Sequence, residues 1–178
     1  DASWGTVKFG RDLGIFGSDA ILSDMTLLGV GSNAGNTGSS TLGRIGSGYA
    51  YADWMGQITY STPNWNGFQV TAALDTPWQN GDALATNDNK DMGFEGKATY
   101  DFAANDVTGK VWVGGIYQDR NGAAAFETKA WEIGAKAAFQ GLELVGYYYD
   151  GDALSSVASN AVAANGDIGI AAAGAVKD

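Results

Sequence analysis

Phe94-Glu95-Gly96-Lys97-Ala98-Thr99-Tyr100-Asp101-Phe102 is followed by a short turn at Ala103 to Asp106 and then by Val107-Thr108-Gly109-Lys110-Val111-Trp112-Val113. Phe94, Gly96, Ala98, Tyr100 and Phe102 alternate with Glu95, Lys97, Thr99 and Asp101. Val107, Gly109, Val111 and Val113 alternate with Thr108, Lys110 and Trp112. A repeat of two is the period of a β-strand, whose successive side chains point to opposite faces. Two such strands joined by a few residues form an antiparallel pair.

The same period extends outward from this pair. Trp4 to Arg11 sets Val7 and Phe9 against Thr6 and Lys8. Tyr51 to Ser61 sets Ala52, Trp54, Gly56, Ile58 and Tyr60 against Asp53, Met55, Gln57 and Thr59. Phe68 to Asp75 follows the turn Thr62-Pro63-Asn64-Trp65-Asn66-Gly67, whose residues favour reversal of the chain. Trp131, Ile133, Ala135, Ala137 and Phe139 oppose Glu132, Gly134 and Lys136. After the tight Gln140-Gly141 turn comes Leu142 to Tyr149, a strand whose two faces do not separate, and a further strand is expected near Ile168. Short connections at Thr62–Gly67, Ala103–Asp106 and Gln140–Gly141 alternate with long ones at Asp12–Gly48, Thr76–Asp91, Asp119–Ala125 and after Asp150. That is an up-and-down topology with every short turn at one end.

Composition narrows the function. Among 178 residues there is no Cys and no His, which excludes a disulfide scaffold, a Cys zinc site, a thiol nucleophile and the commonest general base. No carboxylate pair stands out from the general acidity, so the chain is not read as an enzyme, and no cofactor or metal is expected. The net charge of −10, with no basic block, argues against a nucleic-acid partner. The 27 glycines and 2 prolines suit many strands joined by tight turns. The acids Asp82, Asp88 and Asp91, with Asn89, and the pair Asp150 and Asp152 lack the spacing of a calcium loop and read as solvated loop acids. No run is long and apolar enough for a transmembrane helix. Asp1-Ala2-Ser3-Trp4 opens without a basic region or an apolar core, so no signal peptide is expected, and a mature or internal segment of an exported protein fits.

The polar faces carry both signs of charge, at Glu95, Lys97, Asp101, Lys110, Glu132 and Lys136. The apolar faces end in aromatics: Trp54 and Tyr60, Phe94 and Phe102, Trp131 and Phe139. Aromatics at both ends of an apolar strand face match the girdles of a transmembrane β-barrel. A soluble antiparallel sandwich also gives each strand one apolar and one polar face, and periodicity alone does not separate the two. The aromatic ends and the alternation of short and long connections favour the barrel.

Five stretches carry a family likeness. Gly5 to Gly10-Arg11 ends a strand that leads into a long loop; the loop contains Asp24-Met25-Thr26-Leu27-Leu28-Gly29-Val30-Gly31; and Gly43-Arg44-Ile45-Gly46 follows it. Tyr60-Ser61-Thr62-Pro63-Asn64-Trp65-Asn66-Gly67-Phe68 and Trp131-Glu132-Ile133-Gly134-Ala135-Lys136 continue in the same order. In this order the chain resembles the general porins of Gram-negative outer membranes, from about residue 4 to 150. The resemblance implies an all-β, antiparallel, up-and-down transmembrane barrel of sixteen strands, of which this chain covers seven or eight. Residues 1–178 would then be part of one barrel domain lacking its first and last strands, with 12–48 as a constriction loop folded into the bore. Geometry agrees, since an eight-stranded barrel is filled by its own side chains and has no room for such a loop.

The resemblance also implies a role: a water-filled channel in the outer membrane for passive diffusion of small hydrophilic solutes and ions, surrounded by lipid and lipopolysaccharide and assembled as a homotrimer. Basic wall residues would face acids on the loop across the narrowest point. By motif match Arg11 and Arg44 are wall arginines, Lys8 is their neighbour, and Asp24 and then Asp19 are the loop acids. Glu95, Lys97, Lys110, Glu132 and Lys136 would line the lumen. Strict alternation sets Arg11 with Val7 and Phe9, so either a bulge at Gly10 turns it inward or it lies beyond the apolar band. Leu27 and Leu28 replace the family's Pro-Glu, which keeps a substrate-selective porin open as an alternative, beside the soluble sandwich acting as an adhesin or binding module. Excess acid after residue 48 predicts a mild cation preference, because an acidic mouth attracts cations within a Debye length of about 8–10 Å.

Overall fold

The structure, a computed structural model, describes residues 3–24, 49–50, 52, 54–76, 92–120 and 126–152. They form β1 (Thr6–Leu13), α1 (Ser18–Leu22), β2 (Trp54–Ser61), β3 (Phe68–Asp75), β4 (Gly93–Ala104), β5 (Val107–Arg120), β6 (Phe126–Phe139) and β7 (Leu142–Asp152). The strands make a single antiparallel sheet in the order β1-β2-β3-β4-β5-β6-β7. Each strand pairs with the next in sequence, as the expected up-and-down topology requires. The sheet is open, with β1 and β7 at its edges. No helix among the described residues is long and apolar enough to cross a membrane, which says nothing of a crossing by strands. The expected strand near Ile168, and the acids Asp82, Asp88 and Asp91, lie outside the described residues.

The turns follow their residue chemistry. In the connection after β2, Asn64 Oδ1 accepts a hydrogen bond from the Gly67 N–H at 2.7 Å, the side-chain turn that Asn favours. Gly67 has φ +96, and a Cβ there would strike the carbonyl oxygen of Asp101. Gln140 and Gly141 both have positive φ, the conformation of the tightest hairpin turns. β5 runs on to Arg120 and β6 starts at Phe126, earlier than the Trp131 at which alternation becomes visible.

Register carries each face across the sheet. Lys97 pairs with Thr71 and Gly114, and Gly114 pairs with Glu132, which pairs with Tyr149. This row belongs to the charged face. Ala98 pairs with Val70 and Val113, and Val113 pairs with Ile133, which pairs with Tyr148. This row belongs to the apolar face. The same pairing sorts β7, placing Leu142, Leu144, Gly146 and Tyr148 with the apolar face and Glu143, Val145, Tyr147 and Tyr149 with the other.

Burial is inverted relative to a soluble protein. The apolar face is exposed: Phe9 is 84% exposed and Ile133 50%, with Trp54, Ile58, Leu74, Val113 and Leu144 alike open. The polar face is the covered one, with Glu95, Glu132, Asp75, Gln118 and Thr128 all at 0%. A sandwich buries its apolar face against a second sheet. Among the described residues the apolar face meets no second sheet. Aromatics edge the apolar face at both ends. Tyr60, Phe68, Tyr100 and Phe139 stand toward the short turns, and Trp54, Phe94, Tyr117 and Trp131 toward the long connections. From Trp131 to Phe139 a strand advances about 27 Å at ~3.4 Å per residue. Tilted by about 40°, this spans about 21 Å, close to the ~25 Å apolar band of an outer-membrane barrel.

Candidate functional site

The chain leaves β1 at Leu13 and folds onto the covered, polar face of the sheet. Gly14 and Gly17 make this approach possible, since a Cβ on either would run into the backbone carbonyl of Ala52 or Ala50 respectively. Between them Phe16 is fully buried. It belongs to an apolar cluster with Ala50, Met55, Ile116, Ala130 and Tyr149, with Tyr49 and Tyr147 packed against it. Met55, Ile116, Ala130 and Tyr149 all stand on the polar face, which is therefore apolar where this segment lies on it. Beyond Phe16 the chain turns at Gly17, in a left-handed conformation, into the single turn of α1.

Charged wall groups meet this segment one residue after another. Glu95 Oε2 accepts the Ile15 N–H and, at 3.0 Å, the Phe16 N–H. Glu132 Oε2 accepts the Gly17 N–H at 2.8 Å and the Tyr147 hydroxyl at 2.6 Å. Lys97 Nζ donates to Ser18 Oγ at 2.7 Å and to Asp19 Oδ2. Lys110 Nζ donates to Asp19 Oδ1 at 3.2 Å and lies 4.0 Å from Asp101. Burial by itself raises the Asp19 carboxyl, but Lys97 and then Lys110 outweigh it and hold the group below the ordinary carboxylate range. Glycines beneath the wall side chains make room for them. Gly114 lies under Glu132, and a Cβ on Gly134 would fall within the indole of Trp112.

Of the residues expected at the constriction Asp19 alone, with Lys97 and Lys110 from those expected along the lumen, is brought into one cluster, both lysines meeting its carboxylate. Glu95 and Glu132 lie on the same wall and hold backbone rather than charge. Lys136 is on this face opposite Lys110, 3.9 Å from Glu143. Lys8 pairs with Asp12 at 2.8 Å. Asp24 accepts the Tyr49 hydroxyl at 2.6 Å. The β1–β2 register is one-for-one through Gly10–Gln57 and Arg11–Gly56. No bulge turns Arg11 inward, and it stays in the row of Val7, Phe9 and Leu13. Arg44, and the constriction loop beyond Asp24 up to Tyr49, lie outside the described residues.

The contacts of Ile15, Phe16 and Gly17 were not anticipated from the sequence. The available signal was Phe16 itself, a bulky apolar residue between glycines in a stretch without period. Trp112 is 2% exposed and stacks on Tyr147 with ring centroids 6.3 Å apart. Among the described residues no group of acids could hold a metal ion.

A model of the Gram-negative porin family matches residues 1–177, and the chain belongs to that family. No curated protein and no solved structure matches it.

Proposed function

We propose that this Gram-negative porin forms a water-filled channel through the outer membrane, through which small hydrophilic solutes and ions diffuse passively. One observation carries the reading. The sheet exposes its apolar, aromatic-edged face and covers part of its charged face with a segment of its own chain. Such a sheet is stable with lipid on one side and water on the other, the reverse of a soluble domain. The whole protein is read as a sixteen-stranded barrel to which residues 1–178 contribute one part, with 12–48 as the constriction loop. Asp19, Lys97 and Lys110 stand on the lumen side, with Glu95, Glu132 and Lys136 lining the wall nearby. Lys8, Asp24 and Arg44 complete the proposed set of pore charges, and Arg11, in the apolar row of β1, is left out of it. The charge of −10 supports a mild preference for cations.

No covalent chemistry is involved. Selectivity comes from the radius and the charges of the narrowest point. The partners are outer-membrane lipid and lipopolysaccharide, with two further copies of the chain in a homotrimer. The test is reconstitution of the intact protein into planar bilayers and into liposomes. The expected result is stepwise, ohmic conductance and sugar uptake that falls with solute size. Folded protein that gives neither refutes the channel. Conductance blocked by one sugar at low concentration would identify a substrate-selective porin instead.

A further inference from the structure

We propose that Glu95 and Glu132 are positioning residues that set the aperture by clamping the root of the inserted segment to the wall through its backbone; the inference rests on the channel reading above. Three consecutive N–H groups, of Ile15, Phe16 and Gly17, end on these two carboxylates. Glu95 projects from β4 and Glu132 from β6, so the clamp straddles β5. Both side chains are fully buried. A carboxylate is an acceptor only and can take two donors on one oxygen, the capacity this run of N–H groups requires. The Tyr147 hydroxyl fixes Glu132 from the side, and Gly114 leaves it space to lie flat.

Backbone recognition makes the clamp independent of the side chains at 15–17. It acts immediately before Asp19, the residue that carries the segment's charge toward Lys97 and Lys110. The clamp therefore determines how far that carboxylate stands out from its own wall. Phe16 adds apolar adhesion, but its cluster resists sliding only weakly. The hydrogen bonds fix the register.

The experiment compares the intact wild-type protein with Glu95→Ala/Glu132→Ala and Glu95→Gln/Glu132→Gln in single-channel recordings. Folding is checked in each by heat-modifiable mobility. Gln keeps a carbonyl acceptor and Ala does not. If release lets the segment lift off its wall by one hydrogen-bond length, about 3 Å, it moves into the opening and conductance falls. The Ala pair should show this fall with added current noise, and the Gln pair should sit near wild type. A folded Ala pair with wild-type conductance and noise overturns the clamp. A wild-type protein that does not conduct overturns the channel reading itself, which is a separate outcome. If the Ala pair does not fold, the single Glu132→Ala variant is read with Ala20→Cys as a reporter. The native chain has no Cys and Ala20 is buried. Thiol labelling should then accelerate at least tenfold over Ala20→Cys alone, and an unchanged rate overturns the proposal.

Discussion

Replacing Asp19 by Asn removes one negative charge and almost no volume. Asp19 is the carboxylate shared by Lys97 and Lys110, and Asp101 lies 4.0 Å from Lys110. The native set of two lysines and two carboxylates is neutral, and the variant carries one net positive charge. A monovalent cation passing about 6 Å away then meets an added repulsion of about 0.7 kcal/mol at the dielectric of water and about 1.4 kcal/mol at half that value. These energies correspond to about a threefold and a tenfold loss of cation permeability. The assay is the reversal potential across a planar bilayer in a tenfold KCl gradient. It should move toward the anion side at a mean concentration near 0.1 M and move much less near 1 M, where the Debye length shrinks to about 3 Å. The lysines are only partly buried, at 13% and 28% side-chain exposure. The lost pairing therefore costs about 1–3 kcal/mol, less than for a fully buried pair. A folded Asp19→Asn protein with an unchanged reversal potential at 0.1 M would show that this cluster is remote from the ion path, and the reasoning would fail.

Four further outcomes follow from the same geometry. Because Asp19 is held below the ordinary carboxylate range, its contribution is present above the unfolded-state value and is lost as pH falls through the lower folded value. Wild-type selectivity should thus be independent of Asp19 protonation from pH 7 down to about 4, and an Asp19-dependent transition between pH 5 and 6, absent from Asp19→Asn, would contradict the ion pairs. Ile133→Arg places a charge amid the exposed apolar face and should cost about 2–4 kcal/mol in urea unfolding from lipid vesicles, whereas a cost under about 0.5 kcal/mol would mean the face does not meet lipid. Gly134→Ala pushes a methyl into the Trp112 ring and should cost about 1–3 kcal/mol with a changed tryptophan emission; a neutral effect would mean the ring lies elsewhere. Arg11→Ala, on the apolar side of β1, should shift the reversal potential less than Asp19→Asn, and an equal or larger shift would put Arg11 in the bore.

The fold was legible because each of β4, β5 and β6 must satisfy two solvents, and that requirement writes itself along the chain with a period of two. Lys97, Lys110 and Lys136 fall on the inner face by counting alone. β7 was illegible for a physical reason that the structure supplies. Tyr147 and Tyr149 are aromatic on the side that should be polar, because this part of the wall faces protein rather than water, and the exposed Val145 adds a third apolar residue there that this contact does not explain. Tyr149 belongs to the cluster around Phe16, and Tyr147 packs against it. Met55, Ile116 and Ala130 interrupt the polar face for the same reason. Apolar residues at lumen positions of a barrel strand therefore mark the footprint of whatever is folded inside it.

The contacts at the site itself were not legible, and the reasons differ from group to group. Asp19 meets Lys97 across 78 positions of sequence, and nothing local to either residue predicts the pairing. Glu95 and Glu132 read as ordinary lumen charges because their partners are backbone N–H groups, which every residue but proline carries and no sequence displays. Arg11 is the opposite case. A family pattern places it on the wall, while alternation places it outside, and the unbroken register sides with alternation. Where motif and period disagree within a strand, the period carries more weight. Turning one side chain over without a bulge would break the hydrogen-bond ladder of the whole strand, whereas an arginine at the end of an apolar face can still reach water along its own length.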